Sequence, residues 1–383
     1  MSESTQTSFV QGSRSMRPLL TVVIPSYNSE ATLERALRNL IPQRQRLEVL
    51  IVNDGSKDRT HDIASEYAKR YPEFHCIDQE NKGHGGAINT GLALARAPWF
   101  KVLDSDDQLD LDHLPKVLDR LEALLADERC DALICDFRYE YVWNKSTAPL
   151  RSFEDVDGTL YRVKRVSYAR HFSKNKLSSW ADADFTLPSL ILMHALIYRT
   201  DFLRRIELEL PEHVSYEDNL YVFLPQFHLR QFWYEPIVLY RYYIGREGQS
   251  VSLPSILKNS KKQLQVTSEL FHKSKEVNWQ DLPKALRLYA EDHAARMVVM
   301  SLFPIAMGED PKGESEQKQK HIRHKIKRVE EELERLNPEL WRRVKHDPRV
   351  LAVRRMGSRL GAKGSAFIVR TVLRAKGIDP RKK

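Results

Sequence analysis

The 383-residue chain contains no apolar run approaching the ~18 to 20 residues of a membrane-spanning helix. No membrane span is therefore expected. Cysteine is scarce: Cys76, Cys130 and Cys135 are odd in number and lack a CxxC spacing. That excludes a disulfide framework and a paired-thiolate zinc site, and it reads as reduced thiols in a cytoplasmic protein. Residues 1–17 are Ser/Thr/Gln-rich without an apolar stretch, so a disordered tail with no signal peptide is expected there. Internal repeats are absent.

A large excess of charge of one sign is missing from most of the chain. Of 61 Lys+Arg and 52 Asp+Glu, 14 and 2 fall between Trp341 and Lys383, leaving 47 and 50 in residues 1–340. The body is thus slightly acidic and the basic character belongs to the C-terminal tail. A nucleic-acid-binding core is not expected, and no nucleic-acid module accompanies the charge. Length and composition fit one large soluble domain with an extension, or two domains.

What is present is strand–helix alternation. Apolar runs at Leu19–Ile24, Val49–Val52, Phe74–Ile77, Phe100–Leu103 and Ala132–Cys135 read as strands. Between them lie helical stretches: one capped by Asn28 or Ser29, then 58–71, 86–95, and one carrying Leu114, Val117, Leu118, Leu121 and Leu125, with Asp112 as N-cap of a helix from His113. The pattern argues for an α/β fold with a mostly parallel, doubly wound sheet flanked by helices. Ligands of such sheets bind beyond the carboxyl ends of the strands, where the loops after Ile24, Val52 and Leu103 fall. Residues 136–252 are aromatic-rich and read as mixed α+β. Residues 253–307 read as helical, and 308–313 as a linker. A basic helical extension follows over 314–383, with Ile322, Ile326, Val329, Leu333, Leu336 and Leu340 in a short heptad pattern interrupted at Pro338.

Four strand-end loops carry the chemistry. They are Pro25-Ser-Tyr27-Asn, Asn53-Asp54-Gly-Ser, Asn81-Lys82-Gly-His-Gly-Gly and Asp104-Ser105-Asp106-Asp107. A strand-end carboxylate such as Asp54 suits a base or ribose, with glycine allowing close approach. Two carboxylates one residue apart can share a hard divalent cation that bridges a diphosphate. Asp-x-Asp alone carries little, since it recurs at Asp110/Asp112, Asp155/Asp157 and Asp182/Asp184. Only Asp104 and Asp106 follow an apolar strand at the ligand edge. The third loop lacks the GxGxxG spacing of a dinucleotide site. Later, Ser215-Tyr-Glu217-Asp218-Asn219 opens an apolar stretch and is open to two readings, a helix cap or a general base.

VVIPSYN, VNDGSKD, ENKGHGGAINTGL, KVLDSDD and SYEDN, in this order, resemble glycosyltransferase family 2, clearly over residues 20–114 and in patches over 194–252. The resemblance implies a GT-A fold (catalytic domain 18–252, split into a nucleotide-binding half 18–135 and an acceptor half 136–252) with a helical C-terminal extension. It implies inverting transfer from a UDP-sugar or related nucleotide-sugar donor, with a Mn²⁺ or Mg²⁺ cofactor. Carried over, Pro25, Tyr27 and Asp54 line the nucleoside pocket, Asn81 and Lys82 lie along the base or diphosphate, and Ser105 joins the donor site. Asp104 meets ribose or metal and Asp106 ligates the metal. Asp218, with Glu217 beside it, is the base, and which of the two acts stays open. Arg246, Gln249 and Ser250 resemble the loop that closes over the donor in bacterial surface-polysaccharide members. The QxxRW pattern of processive synthases is absent, which favours adding one hexosyl or N-acetylhexosaminyl unit at a time to a glycan or lipid-linked acceptor, as in surface-polysaccharide or teichoic-acid-like polymer synthesis.

The basic segment 341–383 has two readings, an anionic-membrane contact at the inner face of the cell membrane or a helix packed on its own body. The heptad segment 322–340 is either a homo-oligomer seam or packs against the preceding helices. A nucleotidyltransferase on a related sheet and a non-catalytic membrane-associated scaffold are the rival functions.

Overall fold

The computed structural model describes residues 17–143, 152–154, 160–244, 253–307 and 316–356. Strands β1 (Leu20–Ser26) and β2 (Leu47–Asp54) are buried at every residue, as expected for parallel strands covered on both faces. With β3 (Phe74–Gln79) and β4 (Trp99–Val102) they form the parallel run β3-β2-β1-β4. Helices α1 (Leu33–Leu40), α2 (Thr60–Arg70) and α3 (Gly83–Leu94) connect them. Glu48, Asp54 and Lys101 are charged groups buried within these strands. Glu48 is 1% exposed and accepts from the Thr21 hydroxyl at 2.6 Å and from the Arg96 backbone N–H at 2.7 Å, with the Arg96 guanidinium beside it. Burial raises its pKa, but these bonds outweigh burial and hold it below the usual range.

Beyond β4 the sheet becomes mixed. The short β5 (Gln108–Leu109) leads through α4 (Leu114–Ala123) into the 14-residue β6 (Cys130–Trp143). Strands β7 (Ser152–Glu154), β8 (Leu160–Val166) and β9 (Leu177–Ser178) lie off the main order. The path continues β4-β10-β6-β11-β5, with β10 (Leu196–Arg199) antiparallel to both neighbours and β11 (Gln231–Ile244) parallel to β6. The sheet is mixed: the four strands before residue 103 pair only in parallel with one another, and the strands after it combine the parallel β6–β11 pair with antiparallel neighbours. Helices α5 (Thr200–Arg205) and α6 (Asp218–Phe223) fall between β10 and β11.

Two expected helix starts move. α1 begins at Leu33 because Asn28 is left-handed (φ 49°) and the Ser29 carbonyl first closes a turn with the Thr32 and Leu33 N–H groups. α4 is preceded by His113, not by an Asp112 cap; the Asp110 carbonyl receives the His113 and Leu114 N–H groups. Asp182 ends a short 3-10 helix (Trp180–Asp182) and bonds its cap Ser179, and Asp184 follows in a loop, bonded to Thr186. Asp155 and Asp157 lie outside the described residues.

The short α7 (Leu253–Lys258) packs on α8 (Ser260–Lys273), and α8, α10 (Glu316–Leu336), α11 (Pro338–Val344) and α12 (Pro348–Met356) gather around α9 (Lys284–Met307). Their apolar side chains join the same core as the sheet. The heptad stripe is used inside the chain: Ile326, Val329, Leu333 and Leu340 are buried, and α10 packs on α8 and α9. Its interruption is a helix junction, where the Asn337 side chain caps α11 at the Leu340 N–H and donates to the Phe271 carbonyl on α8. Trp341, Val344, Val350 and Val353 are buried too, so the basic segment packs on the body as far as residue 356. No helix among the described residues is long and apolar enough to cross a membrane.

Candidate active site

A cavity of about 590 Å³ opens at the carboxyl ends of β1, β2 and β4. One wall holds Pro25, Tyr27, Ser29, Asp54, Asn81, Gly83, His84, Asp104, Ser105 and Asp106. The opposite wall holds Met193, His194, the 213–218 segment, Tyr242 and Lys262 of α8.

Each strand-end motif is fixed by a specific bond set. Tyr27 is 52% exposed and offers a free aromatic face. Asp54 is buried, and its carboxylate accepts from Gln79 Nε2 and from the backbone N–H groups of Lys82 and Gly83 at 2.6–2.8 Å. Asn81 Nδ2 donates to the Asp54 carbonyl. Asp54 thus shapes the glycine loop into the first turn of α3, and Gly83 (φ 78°) is required there because the left-handed region penalises any Cβ. Ser105 bonds Ser29 through their hydroxyls at 2.8 Å. Lys82, expected along the base or diphosphate, is off the cavity lining; its ammonium lies 3.3 Å from Glu212. Arg246, Gln249 and Ser250 lie outside the described residues.

The two walls meet at His84, which motif reading passed over. Its Nδ1 lies 2.7 Å from Glu217 Oε1 and its Nε2 3.0 Å from Asp104 Oδ1. Burial disfavours the imidazolium, but the bonds to Asp104 and Glu217 and their charges outweigh burial and raise the pKa well above 6.5. Asp104 is shifted in the reciprocal direction: burial raises it, and the His84 contact brings it below the ordinary aspartate value. Glu217 is 2% exposed, and its Oε2 has no hydrogen-bond partner among the described residues. The approach is tight: a Cβ on Gly85 would stand 2.9 Å from Glu217 Cγ and 2.7 Å from the Pro211 carbonyl. Asp218 opens α6 beside Glu217 and lines the cavity.

The acidic turn after β4 is pinned from β11. Tyr240 donates its hydroxyl to Asp107 Oδ2 and accepts the Asp104 N–H, while the Tyr243 N–H donates to Asp107 Oδ1. Arg35 donates to the Asp106 carbonyl. Asp107 is fully buried, and burial together with Asp106 and Asp104 pushes its pKa well above the ordinary value.

His194 stacks on Tyr240 at 4.5 Å, and Lys101 Nζ donates to its carbonyl. Burial lowers its pKa to about 4, and its Nδ1 is without a partner among the described residues. Asp104, Asp107 and His194 bring donor atoms within 4.8 Å of one another. Crowded carboxylates, one pushed towards protonation, beside an orphaned neutral imidazole fit a divalent cation. Asp106 lines the cavity next to this set but is not part of it. Only the fold could bring His194 in, because no strand-end motif precedes it; His84 was visible inside the glycine loop, and a search for a counter-charge to the carboxylates would have found it.

Residues 21–184 match the family model "Glycosyl transferase family 2". The chain is 31% identical over 228 residues to the glycosyltransferase EpsH of Bacillus subtilis, covering 59% of this chain and 61% of that protein. It is 35% identical over 117 residues to the succinoglycan biosynthesis protein ExoO of Rhizobium meliloti, covering 30% and 33%. It therefore spans less than two thirds of these curated relatives. Among solved structures, residues 1–349 of S. aureus TarS in complex with UDP-GlcNAc superimpose with a TM-score of 0.54 at 18% identity, over 94% of this chain and 92% of that one. The fold is that of the GT-A enzymes, and residues 21–184 are a glycosyltransferase family 2 domain.

Proposed function

We propose that the chain is an inverting glycosyltransferase that moves one sugar from a nucleotide-diphosphate donor, of the UDP-sugar class, to a hydroxyl of a glycan or lipid-linked acceptor. The carrying observation is that one cavity collects Tyr27, Asp54, Asp104, Glu217 and Asp218 from motifs up to 191 residues apart. The TarS fold neighbour, whose crystals hold UDP-GlcNAc, supports this donor class, and ExoO, named for succinoglycan biosynthesis, supports a surface polysaccharide as the setting.

In this reading the Tyr27 ring stacks on the base, with Pro25 beneath and the Asp54-shaped loop with Asn81 alongside. Arg246, Gln249 and Ser250 belong to a segment closing over the donor. Asp104 is common to both candidate cation sets, the Asp104–Asp106 pair and the Asp104–Asp107–His194 cluster. A Mn²⁺ or Mg²⁺ ion held there would neutralise charge on the departing diphosphate. Asp218 takes the proton of the acceptor hydroxyl as that oxygen bonds to the anomeric carbon and the bond to the diphosphate breaks. Glu217, tied to His84, orients the Asp218 turn. The cytoplasmic face of the cell membrane is the proposed place of work, with residues 357–383 as the anionic-membrane contact.

The experiment is release of free UDP from a panel of nucleotide-sugars with Mn²⁺, wild type against Asp104→Ala. UDP release lost in the variant supports the reading; pyrophosphate as product, or no turnover with any donor, overturns it.

A further inference from the structure

A second group of metal-type donors lies away from the cavity, at the outer edge of the sheet. Cys76 and Asp78 are two apart on β3 and so project to one face, and His61 on α2 packs over that face. One donor atom from each of His61, Cys76 and Asp78 falls within 4.8 Å of the others. His61 Nδ1 lies 2.9 Å from Asp78 Oδ1, and Ser65 bridges His61 Nε2 at 3.2 Å and Cys76 Sγ at 3.8 Å. Asn53 Nδ2 donates to Asp78 Oδ1 at 2.7 Å and holds the carboxylate in place. Among the three cysteines Cys76 alone is not buried.

We propose that His61, Cys76 and Asp78 form a binding site for one borderline-soft divalent cation of the zinc class. The chemistry discriminates between metals. Imidazole, thiolate and a single carboxylate suit a tetrahedral ion with a water in the fourth position, whereas Mg²⁺ and Mn²⁺ favour oxygen-rich sets. The ligating form is the thiolate, so the Cys76 S–H proton is released to solvent as the metal–sulfur bond forms. Burial raises the thiol pKa, which makes binding tighten with pH. Asn53 adjoins Asp54 on β2 and receives the Ser56 N–H, so occupancy at Asp78 also bears on the turn that shapes the nucleotide side of the cavity.

Titration of the full-length chain with Co²⁺, followed by absorption, tests the site. One equivalent should give a thiolate-to-metal charge-transfer band with tetrahedral d–d bands, erased by stoichiometric Zn²⁺ and untouched by excess Mg²⁺. Cys76→Ser should abolish the thiolate band, and His61→Ala should weaken Zn²⁺ binding by at least about tenfold. Zn²⁺ should raise the melting temperature of the wild type by more than that of Cys76→Ser, which keeps the Asp104–Asp107–His194 cluster, with unchanged circular dichroism showing that the variant folds. Absence of a thiolate band, its survival in Cys76→Ser, or displacement by Mg²⁺ as readily as by Zn²⁺ overturns the proposal.

Discussion

The two walls of the cavity are built by different rules. The first comes from residues 25–106 and is assembled by parallel strands whose carboxyl ends must lie side by side, so each motif reaches the site by local geometry. The second comes from residues 193–262 and consists of a turn before an antiparallel strand, a segment with two left-handed residues (His213 and Tyr216), and a helix from the C-terminal bundle. The first wall presents fixed carboxylates and an aromatic face. The second presents the acids Glu217 and Asp218 and relies on remote packing to hold them. The proposed function divides the labour along the same line, with the donor on the first wall and acceptor activation on the second.

The largest expected effect tests that division. Asp218→Asn should lower turnover by about 10²- to 10⁴-fold while calorimetric UDP affinity stays within a few-fold of wild type. Asp104→Ala should instead remove the Mn²⁺-dependent part of UDP binding. Equal loss of binding in both variants would break the comparison. Next comes the support of the second wall. Leu333 is fully buried on α10, which packs on the α8 helix carrying Lys262. Leu333→Ala should cost about 2–5 kcal/mol in denaturant unfolding without changing the elution volume, since the stripe is consumed within the chain. A shift in elution would restore the oligomer reading of 322–340.

The bridge between the walls is the third test. His84→Gln removes the charge that Glu217 faces from within a buried site, and should cost about 1–3 kcal/mol of stability. Stability unchanged to within experimental error would mean that the walls are not joined there. The smallest effect is a pH dependence. Burial holds His194 and His293 at about 4 in the folded state, against 6.5 unfolded. As pH falls below 6.5 the unfolded chain takes up protons that the folded chain does not, so stability drops over the window from 6.5 to about 4. Between pH 6.5 and 5.5 the loss should be about 1 kcal/mol per histidine. His84 runs the other way. Its raised pKa gives a contribution complete below 6.5 that is lost as pH rises through the raised value. Thermal midpoints across this range should lose the acid limb in part in His194→Gln.

Legibility follows the same divide. The parallel strands were readable because buried apolar runs end at polar turns, as after Ile24, Val52 and Leu103. The strand-end motifs came with them. The mixed half was not readable in detail, since β6 and β11 are 14-residue strands that carry Asp136, Glu140 and Glu235 buried against arginines, which breaks the apolar signal. The α1 start was misplaced because Asn28 is left-handed, a choice set by the Ser56 and Thr60 contacts across the loop.

The sequence by itself determined the succession of strands and helices over residues 18–135, the resemblance to glycosyltransferase family 2, and the carboxylates at the strand ends, because these depend on residues within a few positions of one another. Tertiary structure alone decided that Asp107 and His194 share the cation-type cluster with Asp104, that His84 joins Asp104 to Glu217, and that the heptad stripe faces inward. Each is a contact across many residues, fixed by how the sheet curls and what its helices must bury, and no local spacing encodes it.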